Sequence, residues 1–127
     1  MQTPRQSIGI LGENIACTYL LQKGYSIIER NFQNTKGYKY GEIDIIAQHE
    51  NKIIFVEVKT RKASTKSSTL PEENISPTKV RNLEKIATTY IQIHNLWNVA
   101  YRFDALAIVI HIDTKVAKVK HIEDIFF

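Results

Sequence analysis

The sequence predicts an α/β domain in which helices pack on a mixed β-sheet, with the element order αβββαββ. Two segments combine helical spacing of apolar residues with suitable end residues, and five shorter runs have the composition of strands. The 127 residues fit one domain spanning 1–127, and a hydrophobic content of 43% is enough for a core without disulfides or a structural metal.

A first helix is predicted from Ser7 to about residue 23. Ser7 is a good N-cap residue, and Gly24 suits the C-cap because glycine tolerates the left-handed conformation in which helices commonly end. The residues at helical spacing that we expect to face the core are Ile8, Leu11, Ile15, Ala16 and Tyr19.

Three strands are predicted next, over residues 25–32, 42–49 and 52–60. The second and third are rich in isoleucine and valine, and the polar dipeptide Glu50-Asn51 between them favours a hairpin. The polar loop before the second strand, 33–41, contains Lys36, Tyr38, Lys39 and Tyr40.

The second half of the chain is predicted to form a helix and two strands. After a loop over 61–75, rich in serine, threonine and lysine, Ser76-Pro77 is typical of a helix start, and this helix continues to about residue 94. Its predicted inner residues are Val80, Leu83, Ala87 and Ile91. The run 102–112 is mostly apolar, as in a central strand covered on both faces, and 116–122 is a last short strand.

Composition limits the classes of protein to which the chain can belong. A single cysteine, Cys17, excludes an intramolecular disulfide, and no apolar run approaches the ~20 residues of a membrane span. We therefore predict a cytoplasmic protein with no membrane partner. The 17 Lys and Arg residues outnumber the 13 Asp and Glu residues, and the resulting charge of +4 is compatible with nucleic-acid binding without indicating it.

The predicted hairpin brings two carboxylates together. A two-residue turn at Glu50-Asn51 sets a register in which Asp44 lies directly opposite Glu57, with Lys59 one step further along the same face. Opposed Cβ atoms lie roughly 5 Å apart, where two carboxylates repel each other by about 3 kcal/mol at an effective dielectric constant of ~20.

A divalent cation between these side chains would remove the repulsion. Oxygen ligands suit Mg²⁺ or Mn²⁺, and the backbone carbonyl of Val58 offers a third oxygen beside Asp44 and Glu57. Lys59 would then orient or deprotonate a water molecule that attacks a phosphodiester. The spacing equally allows a different interpretation, in which both acids face solvent and Lys59 forms a surface ion pair of little energetic value.

Two runs of residues carry a resemblance to a known family: Gly41-Glu-Ile-Asp-Ile-Ile-Ala47 and Phe55-Val-Glu-Val-Lys-Thr-Arg61. Together with Gly12-Glu13 upstream and Arg102-Phe103-Asp104 downstream, they resemble the YraN-like family of predicted endonuclease-like proteins over nearly the whole chain. That family is similar to the PD-(D/E)xK nuclease superfamily, which includes archaeal Holliday-junction resolvases and restriction endonucleases.

The resemblance implies a restriction-endonuclease-like core in which Asp44 and Glu57 bind Mg²⁺ or Mn²⁺ and Lys59 assists the attacking water. It also implies that Glu13 joins the metal site directly or through water. Position alone allows Glu13 to be a solvated residue near the N-terminus of its helix. Resolvase-like relatives further suggest a homodimer.

Several cations are candidates for contact with a phosphate backbone. Lys36 and Lys39 lie in a loop whose tyrosines offer rings for base stacking, although an ordinary solvated loop explains them as well. Arg61, Lys62 and Lys79 flank the predicted acidic centre, and we expect them to face the phosphates. For Lys79 the alternative is a helix-edge side chain that covers apolar surface.

The sequence therefore predicts metal-dependent, endonuclease-like hydrolysis of phosphodiester bonds in DNA, with branched or damaged DNA as candidate substrates. Two other classes of function are open. A non-catalytic DNA-binding or adaptor module would retain DNA in a salt-sensitive way without cleaving it. An interaction protein that touches no nucleic acid would be unaffected by neutralising Lys62 and Lys66.

Overall fold

The computed structural model describes residues 4–64 and 76–125. Its helices and strands are α1 (Pro4–Gln22), β1 (Ser26–Phe32), β2 (Ile43–His49), β3 (Lys52–Ala63), α2 (Pro77–Ile93), β4 (Tyr101–His111) and β5 (Val116–Ile122). The predicted order αβββαββ and the prediction of helices on a mixed sheet are confirmed. Most of the loop predicted over 61–75 lies outside the described residues. Neither helix in the described part of the chain is long and apolar enough to cross a membrane.

The five strands form one sheet in the order β1-β2-β3-β4-β5. Neighbouring strands are antiparallel except β3 and β4, which run parallel and are connected through α2. A parallel pair needs such a crossover connection because the chain must return to the starting end of the sheet.

The β2–β3 hairpin has the predicted turn and register. The turn residues Glu50-Asn51 have φ angles of 51° and 65°, and positive φ at both positions matches the right-handed twist of the strands. His49 pairs with Lys52, and the same register continues to Ile45 opposite Val56. Local alternation and the turn residues are therefore enough to fix this part of the sheet.

Each face of the sheet is covered by one helix, and we call the two sides the α1 face and the α2 face. Side chains alternate along β3, so Ile54 and Val56 pack with residues of α1 whereas Phe55 packs with residues of α2. On β4, Leu106 belongs to the α1 face and Phe103 to the α2 face. This alternation assigns the polar residues of the same strands to one side or the other.

The N-terminus and the buried stripe of α1 differ from the prediction. The helix begins at Pro4, so Ser7 lies within it instead of capping it. Leu11 is 44% exposed, while Leu20 is completely buried. The stripe is displaced because Gly12, and not the larger residue before it, makes the close approach to the sheet.

Two predicted caps are confirmed. Gly24 follows α1 with a φ of 90°, and the backbone N–H of Tyr25 donates to the carbonyl of Leu20 at 2.9 Å, which closes the helix end. At the start of α2, the hydroxyl of Ser76 accepts a hydrogen bond from the backbone N–H of Lys79 at 3.1 Å.

Candidate metal centre

β2 and β3 separate at Asp44, and the acidic site lies at this fork. The paired register ends at Ile45 and Val56, and beyond it the Asp44 carboxylate accepts the backbone N–H of Val58 at 2.7 Å. Asp44 is 9% exposed and Glu57 is 8% exposed. Their charges interact directly, so the structure brings together the two acids whose pairing the sequence predicts.

Burial and repulsion raise the pKa of Asp44 from 3.8 to about 8. Loss of solvation is the larger cause and the neighbouring Glu57 the next, while the hydrogen bond from Val58 acts in the opposite direction. A cation that binds here must displace the proton that Asp44 holds at neutral pH. Cation binding should therefore become tighter as the pH rises towards 8.

The carboxylate of Glu57 has one partner on α2 and one oxygen with unused capacity. Its Oε1 lies 3.4 Å from Nζ of Lys79. Its Oε2 is buried and has no hydrogen-bond partner among the described residues. Buried polar atoms nearly always have a partner in folded proteins. The protonated carboxyl of Asp44 can donate to Glu57 at neutral pH, and a cation that displaces this proton would bind in its place.

Two further acids approach Asp44 from the other side. Glu13 on α1 and Glu42, the residue before β2, each offer a carboxylate oxygen, and these oxygens and one of Asp44 lie within 4.8 Å of one another. Burial, followed by the charge of Asp44, raises the pKa of Glu13, and Arg30 partly opposes this rise. Glu42 is not among the site residues predicted from the sequence, although its spacing of two from Asp44 was a usable signal.

Polar side chains of β1 hold these acids in place. Arg30 donates to Oε1 of Glu13 at 3.4 Å and to the side-chain oxygen of Asn14 at 3.0 Å. With its amide nitrogen turned towards the acids, Asn31 donates to Glu13 at 3.1 Å and to Glu42 at 3.0 Å. Asn31 has a φ of 58°, a conformation that asparagine adopts more readily than most residues.

The position of Glu13 depends on the preceding residue, Gly12. A Cβ atom at Gly12 would lie 1.8 Å from Oγ1 of Thr60 on β3. Any larger residue would push α1 away from the sheet and Glu13 away from Asp44. Gly12 thus allows the close packing of α1 on the sheet, and this packing positions Glu13 beside Asp44.

The cations predicted to bind nucleic acid lie on both faces of the sheet. Lys59 and Arg61 follow Glu57 on the α2 face by strand alternation, and both are half-buried. Lys62 is exposed and lies on the α1 face, so it does not share a surface with Arg61. The ammonium of Lys79 lies 3.4 Å from Oε1 of Glu57. Lys79 therefore contacts one of the acids and does not only cover apolar surface at the edge of its helix.

Asn34 organises the loop before β2. Its buried amide donates to the carbonyls of Lys36 and Tyr38 at 3.0 and 2.7 Å, and its side-chain oxygen accepts the N–H of Tyr40 at 3.2 Å. The ammonium of Lys39 contacts the backbone carbonyl of Asn34, while Lys36 is exposed. Lys39 therefore has a role in holding the loop, which the sequence did not predict.

A second buried acid, Asp104 on β4, is fully paired. Its carboxylate accepts from Nε of Arg102 at 2.9 Å and from the backbone N–H of Asp124 at 3.1 Å, and it lies 2.7 Å from Nε2 of His121. Burial favours a higher pKa for Asp104, but these partners outweigh it and lower the pKa. Glu123 could complete a group of metal ligands with Asp104 and His121, yet Arg102 already supplies positive charge 3.4 Å from Glu123.

These features define the class of protein: a mixed α/β protein with a five-stranded sheet and an acidic centre where β2 and β3 separate. Residues 12–108 match the model of a family described as the uncharacterised protein family UPF0102. The chain belongs to this family. It is the YraN-like family that the sequence motifs resemble, so this part of the resemblance is confirmed.

Relatives of similar length match almost the whole chain. A UPF0102 protein of Syntrophomonas wolfei is 38% identical over 121 residues, which cover 95% of this chain and 98% of the relative. A UPF0102 protein of Caldanaerobacter subterraneus is 39% identical over 123 residues, covering 96% of each chain. One from Clostridium perfringens is 36% identical over 126 residues, covering 99% of this chain and 98% of the relative.

Proposed function

We propose that this chain is a cytoplasmic, divalent-metal-dependent phosphodiesterase that acts on DNA and has a restriction-endonuclease-like core. The pairing of Asp44 and Glu57 carries the proposal. Both carboxylates are buried on adjacent strands, the pKa of Asp44 is raised, and Glu57 has a buried oxygen without a hydrogen-bond partner in the described part of the chain. Two ionised carboxylates in this position would repel each other, and the bound proton of Asp44 and the ammonium of Lys79 offset that repulsion only in part. Perturbed acids of this kind are characteristic of functional sites.

The side chains fit Mg²⁺ or Mn²⁺. Asp44 and Glu57 supply carboxylate oxygens, and Glu13 and Glu42 lie close enough to join directly or through water. The carbonyl of Val58 is a further candidate oxygen. A set of oxygen donors without cysteine or histidine favours these hard cations over zinc. When bound, the ion would activate the attacking water and neutralise charge on the phosphate.

The neighbouring cations would act on the water and the substrate. Lys59, two positions after Glu57 on the same face, would orient the attacking water or take its proton. The water oxygen forms a bond to phosphorus while the opposite ester bond breaks, and the leaving oxygen takes a proton from solvent. Lys79, beside Glu57, and Arg61, on the same face as Glu57, would hold phosphate oxygens.

Metal binding tests the proposal most directly. Calorimetric titration with Mn²⁺ at pH 8 should show binding to the wild type and an at least roughly tenfold lower affinity for Asp44→Asn and Glu57→Gln. Glu84→Gln is the matched control, because it makes the same carboxylate-to-amide change at an exposed position of α2. A wild type that binds no Mn²⁺ would remove the proposal.

Cleavage identifies the substrate. Linear, nicked, branched and damaged DNA should be incubated with the wild type and Glu57→Gln in Mg²⁺ or Mn²⁺. We expect cleavage only by the wild type, with branched or damaged DNA as the preferred substrates. Light scattering during size-exclusion chromatography should detect the homodimer that resolvase-like relatives suggest.

A non-catalytic DNA-binding or adaptor module is the second candidate, and one contact favours it. Lys79 places its ammonium 3.4 Å from Oε1 of Glu57 and so partly neutralises the acids without a metal. This candidate predicts salt-sensitive retention of DNA with no Mn²⁺ binding and no cleavage. The Mn²⁺ titration therefore separates the two candidates.

A further inference from the structure

Beyond the acids, the α2 face of the sheet carries cations in regular rows. The registers of β3 with β4 and of β4 with β5 define these rows across the sheet. The two rows that follow Glu57 are Lys59–Ala107–Lys120 and Arg61–Val109–Lys118. Each row has a cation on β3, a small apolar residue on β4 and a lysine on β5.

The orientation of the β5 lysines follows from their neighbours. Val119 packs with the core of the α1 face, and His121 contacts the hydroxyl of Tyr19 on α1 at 3.2 Å. Because side chains alternate along a strand, Lys118 and Lys120 lie on the α2 face. They therefore share the side of the sheet that Glu57 occupies.

The spacing of the rows is set by the sheet. Neighbouring strands lie about 4.8 Å apart and alternate residues of a strand about 6.6 Å apart. The backbone positions of the two cations in a row are thus separated by roughly 10 Å, and the rows by roughly 7 Å. Lys118 and Lys120 are exposed.

A buried histidine lies beside these rows. His111 lies between Ala63 and Val116 in the row after Arg61, on the same face. It is 6% exposed, and neither ring nitrogen has a hydrogen-bond partner among the described residues. Because both nitrogens are also inaccessible to solvent, His111 does not contact a ligand docked on this face and is not one of the track residues.

We propose that Lys59, Arg61, Lys118 and Lys120 form a track that binds the phosphate backbone of a nucleic acid, with β5 supplying half of its charge. The inference rests on the proposed function, because the row next to the track contains Glu57. Charges repeated at fixed intervals on a rigid sheet fit a polyanion with regularly spaced phosphates better than an irregular acidic peptide.

DNA binding in metal-free buffer tests the track. Fluorescence anisotropy should compare Lys118→Gln/Lys120→Gln with Lys23→Gln/Lys52→Gln, which removes two charges from exposed positions elsewhere on the molecule. We expect affinity to fall on the order of tenfold for the track pair and less than about twofold for the control. The slope of log affinity against log salt should shrink by about 1 to 2 for the track pair only.

Charge conservation separates binding from folding. Lys118→Arg/Lys120→Arg should retain the wild-type affinity, because it keeps both charges. Equal losses in the track and control pairs, or no binding of DNA by the wild type, would overturn the track. An acidic peptide that displaces the protein from DNA at the same charge concentration would overturn the nucleic acid as its partner.

The proposed track and the proposed phosphodiesterase activity can be disproved separately. If the wild type retains DNA through Lys118 and Lys120 but binds no Mn²⁺, the track stands and the proposed activity falls. If the wild type binds Mn²⁺ and cleaves DNA while the double glutamine variant binds DNA as tightly as the wild type, the activity stands and the track falls.

Discussion

Asp44 and Asp104 are buried aspartates of the same sheet, but their surroundings shift their pKa values in opposite directions. Asp104 accepts hydrogen bonds from several partners, including the guanidinium of Arg102, and its pKa is lowered. Asp44 accepts the backbone N–H of Val58, lies beside Glu57, and has a raised pKa. Removing a fully paired buried carboxylate leaves its partners uncompensated and destabilises the fold, whereas a buried carboxylate that faces another acid is characteristic of a ligand site.

The two regions are connected through α1. Near its middle, Glu13 approaches Asp44, and two turns later the hydroxyl of Tyr19 lies 3.2 Å from Nδ1 of His121, which contacts Asp104. The Asp104 network therefore holds the same helix that supplies an acid to the candidate metal centre. Substitutions in the two regions should have opposite effects on the free energy of unfolding.

The largest effect is expected at Asp104. Asp104→Ala should lower the free energy of unfolding by about 3 to 5 kcal/mol, because it leaves the guanidinium of Arg102 without its closest acid. Urea denaturation measures the loss. The double variant Asp104→Ala/Arg102→Met should lose less than the sum of the two single variants. A cost below about 1 kcal/mol for Asp104→Ala would contradict a stabilising role.

Asp44→Asn should instead raise the free energy of unfolding. The folded state holds the Asp44 proton up to about pH 8, whereas the unfolded chain releases it near pH 4, so wild-type stability falls between these values. We expect the variant to be more stable than the wild type by up to about 5 kcal/mol at pH 8 and equally stable at pH 4. Urea denaturation at both pH values, with Glu84→Gln as control, checks this. The same difference at both pH values would contradict the shifted pKa.

Gly12→Ala should disturb the connection between the regions. The added Cβ would meet Oγ1 of Thr60, and such overpacking costs about 1 to 3 kcal/mol. Mn²⁺ affinity should fall as well, because Glu13 moves with the helix. Gly9→Ala is the matched control: nothing lies within 4 Å of its added Cβ, and alanine favours a helix by up to ~1 kcal/mol. Equal stabilities of the two variants would show that the close approach is not required.

The sequence predicted the features of the Asp44 region that depend on turn residues and on the alternation of side chains along a strand. Turn residues at Glu50-Asn51 and strand alternation set the register that leads up to Asp44 and Glu57, so the proximity of these two acids could be predicted before the fold was known. The full pairing of Asp104 could not, since its donor at Asp124 follows β5 and depends on how β5 packs against β4.

The site residues that the sequence did not predict were missed for the same reason, which is that their contacts join distant segments of the chain. Glu42 and Asn31 join Glu13 only because β1, β2 and α1 meet at the fork, and contacts between distant segments leave no periodic signal in the sequence. The β5 lysines, Lys118 and Lys120, share a face with Glu57 only through two successive strand registers. Longer-range arrangements of this kind require the three-dimensional structure.

The smallest change in stability, below about 1 kcal/mol, is expected for Lys79→Gln, because this side chain is 48% exposed. Its effect on metal binding is more informative. Lys79 and a divalent ion would compete for Oε1 of Glu57, so removing the ammonium should tighten Mn²⁺ binding several-fold in calorimetric titration. Lys85→Gln, on the same helix but over the ring of Tyr40, should leave it unchanged. If Lys79→Gln leaves Mn²⁺ affinity unchanged or weakens it, the ion does not compete with Lys79 for Oε1 of Glu57, and Lys79 stabilises the acids much as Arg102 stabilises Asp104.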